Sequence, residues 1–435
     1  MKSNRIVILG AGESGVGAAQ LAVQQGFEVL ISEAGVIKPA FKERIEQLGL
    51  PYEEGGHTWE TIFESAEVIK SPGIPDQIPL IRKLQEAGIP VISEIEFAAR
   101  FTRAKLIGIT GSNGKTTTTL LIYHLLRTAG LDVELAGNVG PGFARRLAES
   151  DHDYFVLELS SFQLDGIQDF KPDIALLLNI TPDHLDRYDK DVRKYGRAKL
   201  RIGMNQSESD FFLFRADDPL TAELLTEGER TGKKIPIHPN SEGELLVDGR
   251  GYDLRQSSLR GKHNRSNAAF AVQTARLLGI DPEVILAGLK TFKNAPHRLE
   301  QVGWKDEVEF INDSKATNVD AVFYALDAME KPVIWIAGGT DKGNDYGPIQ
   351  ELVQTKVKAL ICLGIDNRKL RESFRNLEQI TETQSVEEAI QLALGYADAG
   401  DVVLLSPACA SFDLFKNYED RGDQFRQAVI NRIKN

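Results

Sequence analysis

Thr110-Gly111-Ser112-Asn113-Gly114-Lys115-Thr116-Thr117 is the segment whose residue types and spacing speak most directly of chemistry. It follows the apolar run Leu106-Ile107-Gly108-Ile109 and opens a helical pattern from Thr116 to Ala129. Glycines let successive backbone N–H groups turn toward one anion, and a helix N-terminus adds a favourable dipole there. Lys115 can reach the β- and γ-phosphates of a triphosphate, and the Thr116 hydroxyl can bind Mg²⁺. Gly111, Ser112, Asn113, Gly114, Lys115, Thr116 and Thr117 are therefore the candidate ATP loop. Its spacing departs from the usual Walker pattern, because only Ser112 and Asn113 separate Gly111 from Gly114. The plain alternative is a glycine turn between strand and helix, and a Lys-Thr pair at a helix start weighs against it.

A second glycine turn, Gly10-Ala11-Gly12-Glu13-Ser14-Gly15, lies between the run Arg5 to Leu9 and a helix from Val16 to about Gln25. With Glu33 near the position of a ribose-binding acid, it suggests NAD. Any anion on such a turn wants the same glycines, and close helix packing wants them too. Glu158, at the end of a strand, is a natural Mg²⁺ ligand. His184, in Thr181-Pro182-Asp183-His184-Leu185-Asp186-Arg187, sits in a polar loop past a strand and is a candidate site residue. Lys199 reads on spacing as a solvated helix lysine. Asn264 and Asn267 share a first helical turn and could either read a base or cap the helix. Three further polar loops follow strands in the last third: Asn312 to Asn318 after His297-Arg298, Gly338 to Gly343, and Ser406 to Asp413. Together they suggest an anionic substrate.

The elements that must position these groups are short β-branched runs, each followed by a glycine loop and a helical stretch, so the fold class is α/β with parallel sheets. The first sheet uses Arg5 to Leu9, Phe27 to Ile31, Val68 to Lys70 and Pro90 to Ile92; Ser71-Pro72-Gly73 is a turn, and Ser93 to Thr102 is a connecting helix. The second uses Leu106 to Thr110, Tyr154 to Leu159, Ile174 to Leu178 and Phe211 to Phe214, with short β structure between Glu242 and Leu254 and a helix from Asn264 to Leu278. The third uses Val333 to Ala337, Ala359 to Leu363 and Val402 to Leu405, and the chain ends in a helix from Gly422 to Ile433. Three domains are expected over 1–93, 94–295 and 296–435, since 435 residues exceed one core.

The formal net charge of −12 repels phosphate backbones and argues against nucleic acid as a partner. Cys362 and Cys409 supply neither a disulfide framework nor metal-ligand spacing. No apolar run reaches the roughly 18 residues of a membrane helix, and Met1 to Gly10 has no leader-like pattern. The expectation is a cytoplasmic protein with no membrane partner.

The phosphate loop, the Glu158 segment, Asp183-His184, Lys199, His263-Asn264 and Asn312 to Asn318 together resemble the Mur ligases, ATP-dependent enzymes that add amino acids to peptidoglycan precursors. Glu158 to Leu164, Gly338 to Lys342, and Ser406 to Asn417 with Arg421-Gly422 resemble the D-glutamate-adding branch. The resemblance implies three domains: a Rossmann-like one for the UDP part of the substrate, a central P-loop-type ATPase domain, and a C-terminal Rossmann-like one that brings in the amino acid. It implies a monomer whose substrates are ATP, UDP-N-acetylmuramoyl-L-alanine and D-glutamate. It further implies two Mg²⁺ sites built from Thr116, Glu158, His184 and a carbamylated Lys199, with Lys115 catalytic. Asn264, Asn267, Arg298 and Asp313 match nucleotide contacts. Ser14, Gly15, Ser32, Ser71, Pro72 and Gly73 match contacts to the UDP moiety, and Asn138 and Ser160 match muramoyl-peptide contacts. Thr317, Lys342, Ser411 and Phe412 match D-glutamate contacts.

Three other readings compete. A nicotinamide dehydrogenase explains Gly10 to Gly15 but leaves Lys115 idle. A folylpolyglutamate-type ligase shares the chemistry but not the UDP-type domain. A nucleotide-gated binding module leaves Glu158 and His184 without a role.

Overall fold

The computed structural model describes residues 4–228, 231–238 and 244–434. Grouped by their contacts, these form two compact units. One comprises residues up to 238 with 244–253 and 266–291, the other 254–265 and 292–434.

The first unit holds two parallel sheets. In spatial order the strands of one are Tyr52–Glu54, Glu28–Glu33, Arg5–Leu9, Glu67–Lys70 and Val91–Ile92. Those of the other are Lys233–Ile237, Phe211–Arg215, Ile174–Leu177, Lys105–Thr110, Tyr154–Glu158 and Val133–Gly137. The central strands are buried on both faces and read as unbroken apolar runs, the mark of a helix-covered parallel sheet. Both glycine turns leave the C-terminal end of a central strand, where an open α/β sheet presents ligands. Leu245–Val247 pairs antiparallel with Arg250–Tyr252; the 242–243 part of the expected β stretch lies outside the described residues.

The second unit has one sheet, ordered Glu300–Lys305, Val308–Asn312, Val402–Leu405, Val333–Ala337, Val357–Leu363 and Ile380–Thr383. Its first pair is antiparallel and the rest are parallel. Chain order reverses between Val333–Ala337 and Val402–Leu405, so the loops Gly338 to Gly343 and Ser406 to Asp413 flank the switch point where such sheets bind ligands.

Several expected boundaries shift. The helix expected from Asn264 begins at Gly261 and runs to Leu277, so Asn264 and Asn267 lie beyond its cap. The final helix begins at Tyr418, not Gly422. Gly422 is inside it because a Cβ there would run into the His297 ring. The connecting helix is shorter than expected, Glu94–Ala99, and is capped by Ser93, whose hydroxyl accepts from Glu96 N at 3.3 Å.

Candidate active site

The helix after the phosphate loop spans Lys115–Thr128 and carries no acidic residue in its first turn, so its dipole is left uncompensated at the loop. Gly114 is left-handed at φ 84°, and a Cβ there would run into Asn267 Oδ1. That packing makes glycine obligatory and brings Asn267, 5% exposed, to the loop. Ser112 and Asn113 are laced to the segment after Ile174–Leu177. Ser112 Oγ donates to Thr181 O at 2.8 Å, Asn113 N donates to Asn179 Oδ1 at 2.9 Å, and Asn179 Nδ2 donates back to Asn113 O at 3.0 Å. Asn179 and Thr181 thus shape the cradle, a task no spacing in the sequence announced. Thr116 is half-buried one residue into the helix, and Thr117 is buried below it.

Two lysines converge on the loop. Lys115 Nζ donates to Gly111 O at 2.8 Å and Ser112 O at 2.9 Å. Lys199 Nζ also donates to Gly111 O, at 2.8 Å, and stands 4.3 Å from the Tyr195 ring centroid. Lys199 is 1% exposed, which corrects the reading of a solvated helix lysine. Burial, and then the Lys115 charge, hold its amine well below the ordinary lysine range.

Glu158 is 2% exposed at the end of its strand. Its Oε1 accepts from Asn138 Nδ2 at 2.8 Å, while Oε2 is buried without a partner. An unpartnered carboxylate oxygen beside a phosphate cradle fits a cation ligand. His184 lies in the polar turn at φ 50°, exposed, its ring 5.3 Å from that of Phe162 and its Nε2 3.5 Å from Asp183 Oδ2. Among the described residues no three His, Cys, Asp or Glu side chains converge on one point. Ser160 caps the helix Ser161–Asp165 with a capping box closed by Gln163.

The other glycine turn is built differently. A Cβ at Gly15 would run into the Gly10 carbonyl, so that glycine serves close helix packing. Glu33, the supposed ribose acid, accepts Ala11 N at 2.8 Å and Gly35 N at 3.1 Å. Ser14 is half-buried in the first turn of Glu13–Gln24. Ser32 Oγ bonds Glu53 and lies 2.6 Å from His57 Nδ1. Ser71 Oγ donates to Gly10 O at 3.4 Å, and Arg187 Nη1 donates to Gly73 O at 3.2 Å, which sets the Ser71-Pro72-Gly73 turn against the His184 loop.

In the second unit, Asp313 is buried; Oδ2 accepts from Ser406 Oγ at 2.9 Å and Oδ1 from Leu299 N at 3.2 Å. Burial pushes its carboxyl up to about 7, against those two hydrogen bonds and the Arg298 charge. Asn264 is buried, and its Nδ2 donates to Arg260 O at 2.9 Å. The three polar loops are stitched by Arg421, which the sequence reading left without a role. Its Nε and Nη2 each reach Ser314 at 2.9 Å, on Oγ and on the carbonyl, and Nη1 reaches Cys409 O at 3.2 Å and Gly338 O at 3.4 Å. Burial pulls this guanidinium down to about 10. Thr340 and Ala410 exchange backbone hydrogen bonds at 2.8 and 3.2 Å. Lys342 and Phe412 are exposed on these loops, Ser411 is buried and Thr317 is half-buried. Lys315 Nζ lies 3.7 Å from the Tyr418 ring centroid, a cation–π pair at the same loops that sequence spacing did not reveal.

Residues 4–93 match the Mur ligase MurD-like N-terminal domain, 109–275 the Mur ligase middle domain, and 297–409 the Mur ligase glutamate ligase domain. The chain is 50% identical to the UDP-N-acetylmuramoylalanine--D-glutamate ligase of Porphyromonas gingivalis over 98% of each chain. It is 40% identical to the enzyme of that name from Chlorobaculum parvum, over 99% of this chain and 98% of that one. Among solved structures, the UDP-N-acetylmuramate-alanine ligase MurC of Thermotoga maritima has a TM-score of 0.60 at 18% identity, covering 98% and 99% of the two chains. MurF ligase of Thermotoga maritima has a TM-score of 0.62 at 15% identity, covering 93% of this chain and 96% of that one. These two show a shared fold. With family models spanning all three sheets and relatives at half identity over nearly the whole length, the chain belongs to the Mur ligase family.

Proposed function

We propose that this chain is an ATP-dependent ligase that joins D-glutamate to UDP-N-acetylmuramoyl-L-alanine in peptidoglycan precursor synthesis, acting as a monomer in the cytoplasm. The observation that carries the chemistry is the Gly111 loop, with Lys115 and Lys199 on one carbonyl and a strand-end carboxylate, Glu158, that keeps one oxygen unpaired. The names of the half-identical relatives support the substrates. Three domains over 1–93, 94–295 and 296–435 would divide the work between UDP substrate, nucleotide and amino acid.

The carboxylate oxygen of the terminal L-alanine attacks the γ-phosphorus of ATP. The bond to the β,γ-bridging oxygen breaks, giving an acyl phosphate and ADP. The D-glutamate amine then attacks the acyl carbon, the tetrahedral centre collapses, the amine proton leaves to solvent, and phosphate departs. Both reactants of the first step are anions, so positive charge near the γ-phosphate decides the rate. Lys115 supplies it on swinging from Gly111 O and Ser112 O to the phosphates. Thr116 and Glu158 would hold one Mg²⁺, and His184 with Lys199 a second; bound there, the ions supply charge neutralisation between carboxylate and triphosphate. Lysine as such cannot bind a cation. The Lys199 amine, held below the ordinary lysine range by burial, can once deprotonated attack CO₂, form an N–C bond and lose a proton, which leaves a carbamate with carboxylate-like oxygens. Gly111, Ser112, Asn113, Gly114 and Thr117 would cradle the phosphates, and Asn264, Asn267, Arg298 and Asp313 would contact the nucleotide. Ser14, Gly15, Ser32, Ser71, Pro72 and Gly73 would hold the UDP moiety, with Asn138 and Ser160 on the muramoyl peptide. Lys342, Thr317, Ser411 and Phe412 would hold D-glutamate, with Lys342 as the cation its two carboxylates need.

The test is phosphate release from ATP with UDP-N-acetylmuramoyl-L-alanine and, in turn, D-glutamate, L-glutamate, L-lysine and diaminopimelate. D-glutamate is expected to be the good acceptor; comparable turnover with another refutes the assignment.

A further inference from the structure

The connecting helix Glu94–Ala99 sends two carboxylates into the protein interior, Glu94 at 2% and Glu96 at 1% exposure. Glu96 Oε2 gathers Gln168 N, Asp169 N and Phe170 N at 2.8, 3.0 and 2.8 Å, an arrangement that fixes a turn. Glu94 is placed differently. Its Oε1 accepts the backbone N–H of Ala144, at the start of the helix Phe143–Glu149, and its Oε2 is buried without a partner. Gly142, which precedes that helix, lies between Glu94 and the first glycine turn: a Cβ on it would stand 3.2 Å from Glu94 Oε1 and 3.7 Å from Ser14 Cα. From the other side Glu13 Oε1 accepts Gly142 N at 3.4 Å and Arg145 Nη1 at 3.0 Å.

The grip on Ala144 reaches the reacting end through Phe143, Gly142 and Pro141. Gly137 N donates to Pro141 O at 3.1 Å and closes the turn that carries Asn138. Asn138 N donates to Glu158 O, and Asn138 Nδ2 to Glu158 Oε1, each at 2.8 Å. We propose that Glu94 is a positioning residue for the muramoyl-peptide end of the substrate: by holding Ala144 it sets the Gly137–Pro141 turn, and with it Asn138 and the aim of the Glu158 carboxylate. The inference rests on the roles given above to Asn138 and Glu158. A carboxyl in this place is costly, since burial first, and then the Glu13 charge facing it, push it up to about 7 against the Ala144 hydrogen bond. Its position at a helix N-terminus, where an N–H needs an acceptor, is what the cost secures.

The test is steady-state kinetics of Glu94→Ala, Glu94→Gln and Asn138→Ala on the full chain, with KM measured separately for UDP-N-acetylmuramoyl-L-alanine, ATP and D-glutamate. Glu94→Ala is expected to raise the muramoyl-substrate KM about tenfold and lower kcat by about as much, with the ATP KM within about twofold of wild type. Glu94→Gln keeps an acceptor for Ala144 N and is expected to restore most of kcat/KM. A parallel loss toward all three substrates, or no recovery with glutamine, overturns the proposal. If Asn138→Ala raises the muramoyl KM and Glu94→Ala does not, the positioning role alone falls; an unchanged KM in Asn138→Ala removes the reading of Asn138 beneath it. Should Glu94→Ala fold too poorly to assay, Gly142→Ala presses a methyl on the same junction, and a wild-type muramoyl KM there overturns the proposal.

Discussion

Two strand–glycine–helix turns in the first unit look alike in sequence and differ in what they leave available. At Gly10 to Gly15 the following helix opens with Glu13, and the Glu33 carboxylate accepts Ala11 N. Acidic side chains already meet the helix start, which makes this turn a poorer seat for a triphosphate than one without them. At Gly111 to Thr116 the helix opens with Lys115 and has no acid in its first turn. Its glycine at 114 is held left-handed against Asn267. Glycine is required by close packing at Gly15 and at Gly114 alike, and it is the neighbouring charges, acidic at the first turn and basic at the second, that tell the two apart.

Replacing Lys115 with alanine should break the comparison most severely. Phosphate release should fall by about a thousandfold or more, since the residue offsets charge that develops in the transition state; near-normal turnover would remove the mechanism. Lys199→Ala should lose activity by about a hundredfold or more, by analogy with the loss of a preorganised electrostatic group, and recover part of it with added short carboxylates. Absence of rescue counts against a carbamate. Gly114→Ala strains a left-handed residue and pushes a methyl at Asn267, so the ATP KM should rise roughly tenfold or more while the muramoyl-substrate KM holds.

Gly15→Ala sharpens the contrast from the other side. It should cost about 1–3 kcal/mol of stability, read as a lower Tm, with the ATP KM unchanged; an ATP-specific defect would contradict the packing role. The last effect concerns Glu94 and shows only as a dependence on pH. Its carboxyl rises from 4.5 to about 7 on folding, so the native state binds more protons than the unfolded chain between those values. Stability therefore falls as pH rises through that window and levels off above it. At pH 8 the charge costs at most about 3 kcal/mol. Glu94→Gln should accordingly gain Tm over wild type at pH 8 and lose that gain near pH 4.5, as measured by thermal unfolding at both.

Much of the fold was readable. Val333–Ala337 and Val402–Leu405 are unbroken apolar runs and stand in the structure with the limits expected. Elements without such a signature escaped. The hairpin between Glu300–Lys305 and Val308–Asn312 turns at Asp306-Glu307, both at positive φ, without the Asn-Gly or Asp-Gly pair that usually marks such turns. The last helix, expected from Gly422, starts at Tyr418, and Gly422 within it makes room for His297. Asn264 suited a helix cap by composition, yet the helix starts upstream at Gly261.

The strand–glycine–helix turn at Gly111 to Thr116 could be read from the sequence alone because glycines, a lysine and a helix start act over a few bonds, whereas its lacing to Asn179 and Thr181 could not. The parallel strands were readable for the same reason, since burial on both faces demands apolar side chains in a row. Only the tertiary structure decided that Lys199 is buried beside Lys115, that Asn138 holds one oxygen of Glu158 and leaves the other unpaired, and that Arg421 ties three distant loops together. Those facts depend on desolvation and on partners far away in the chain, and a residue's type and spacing carry neither.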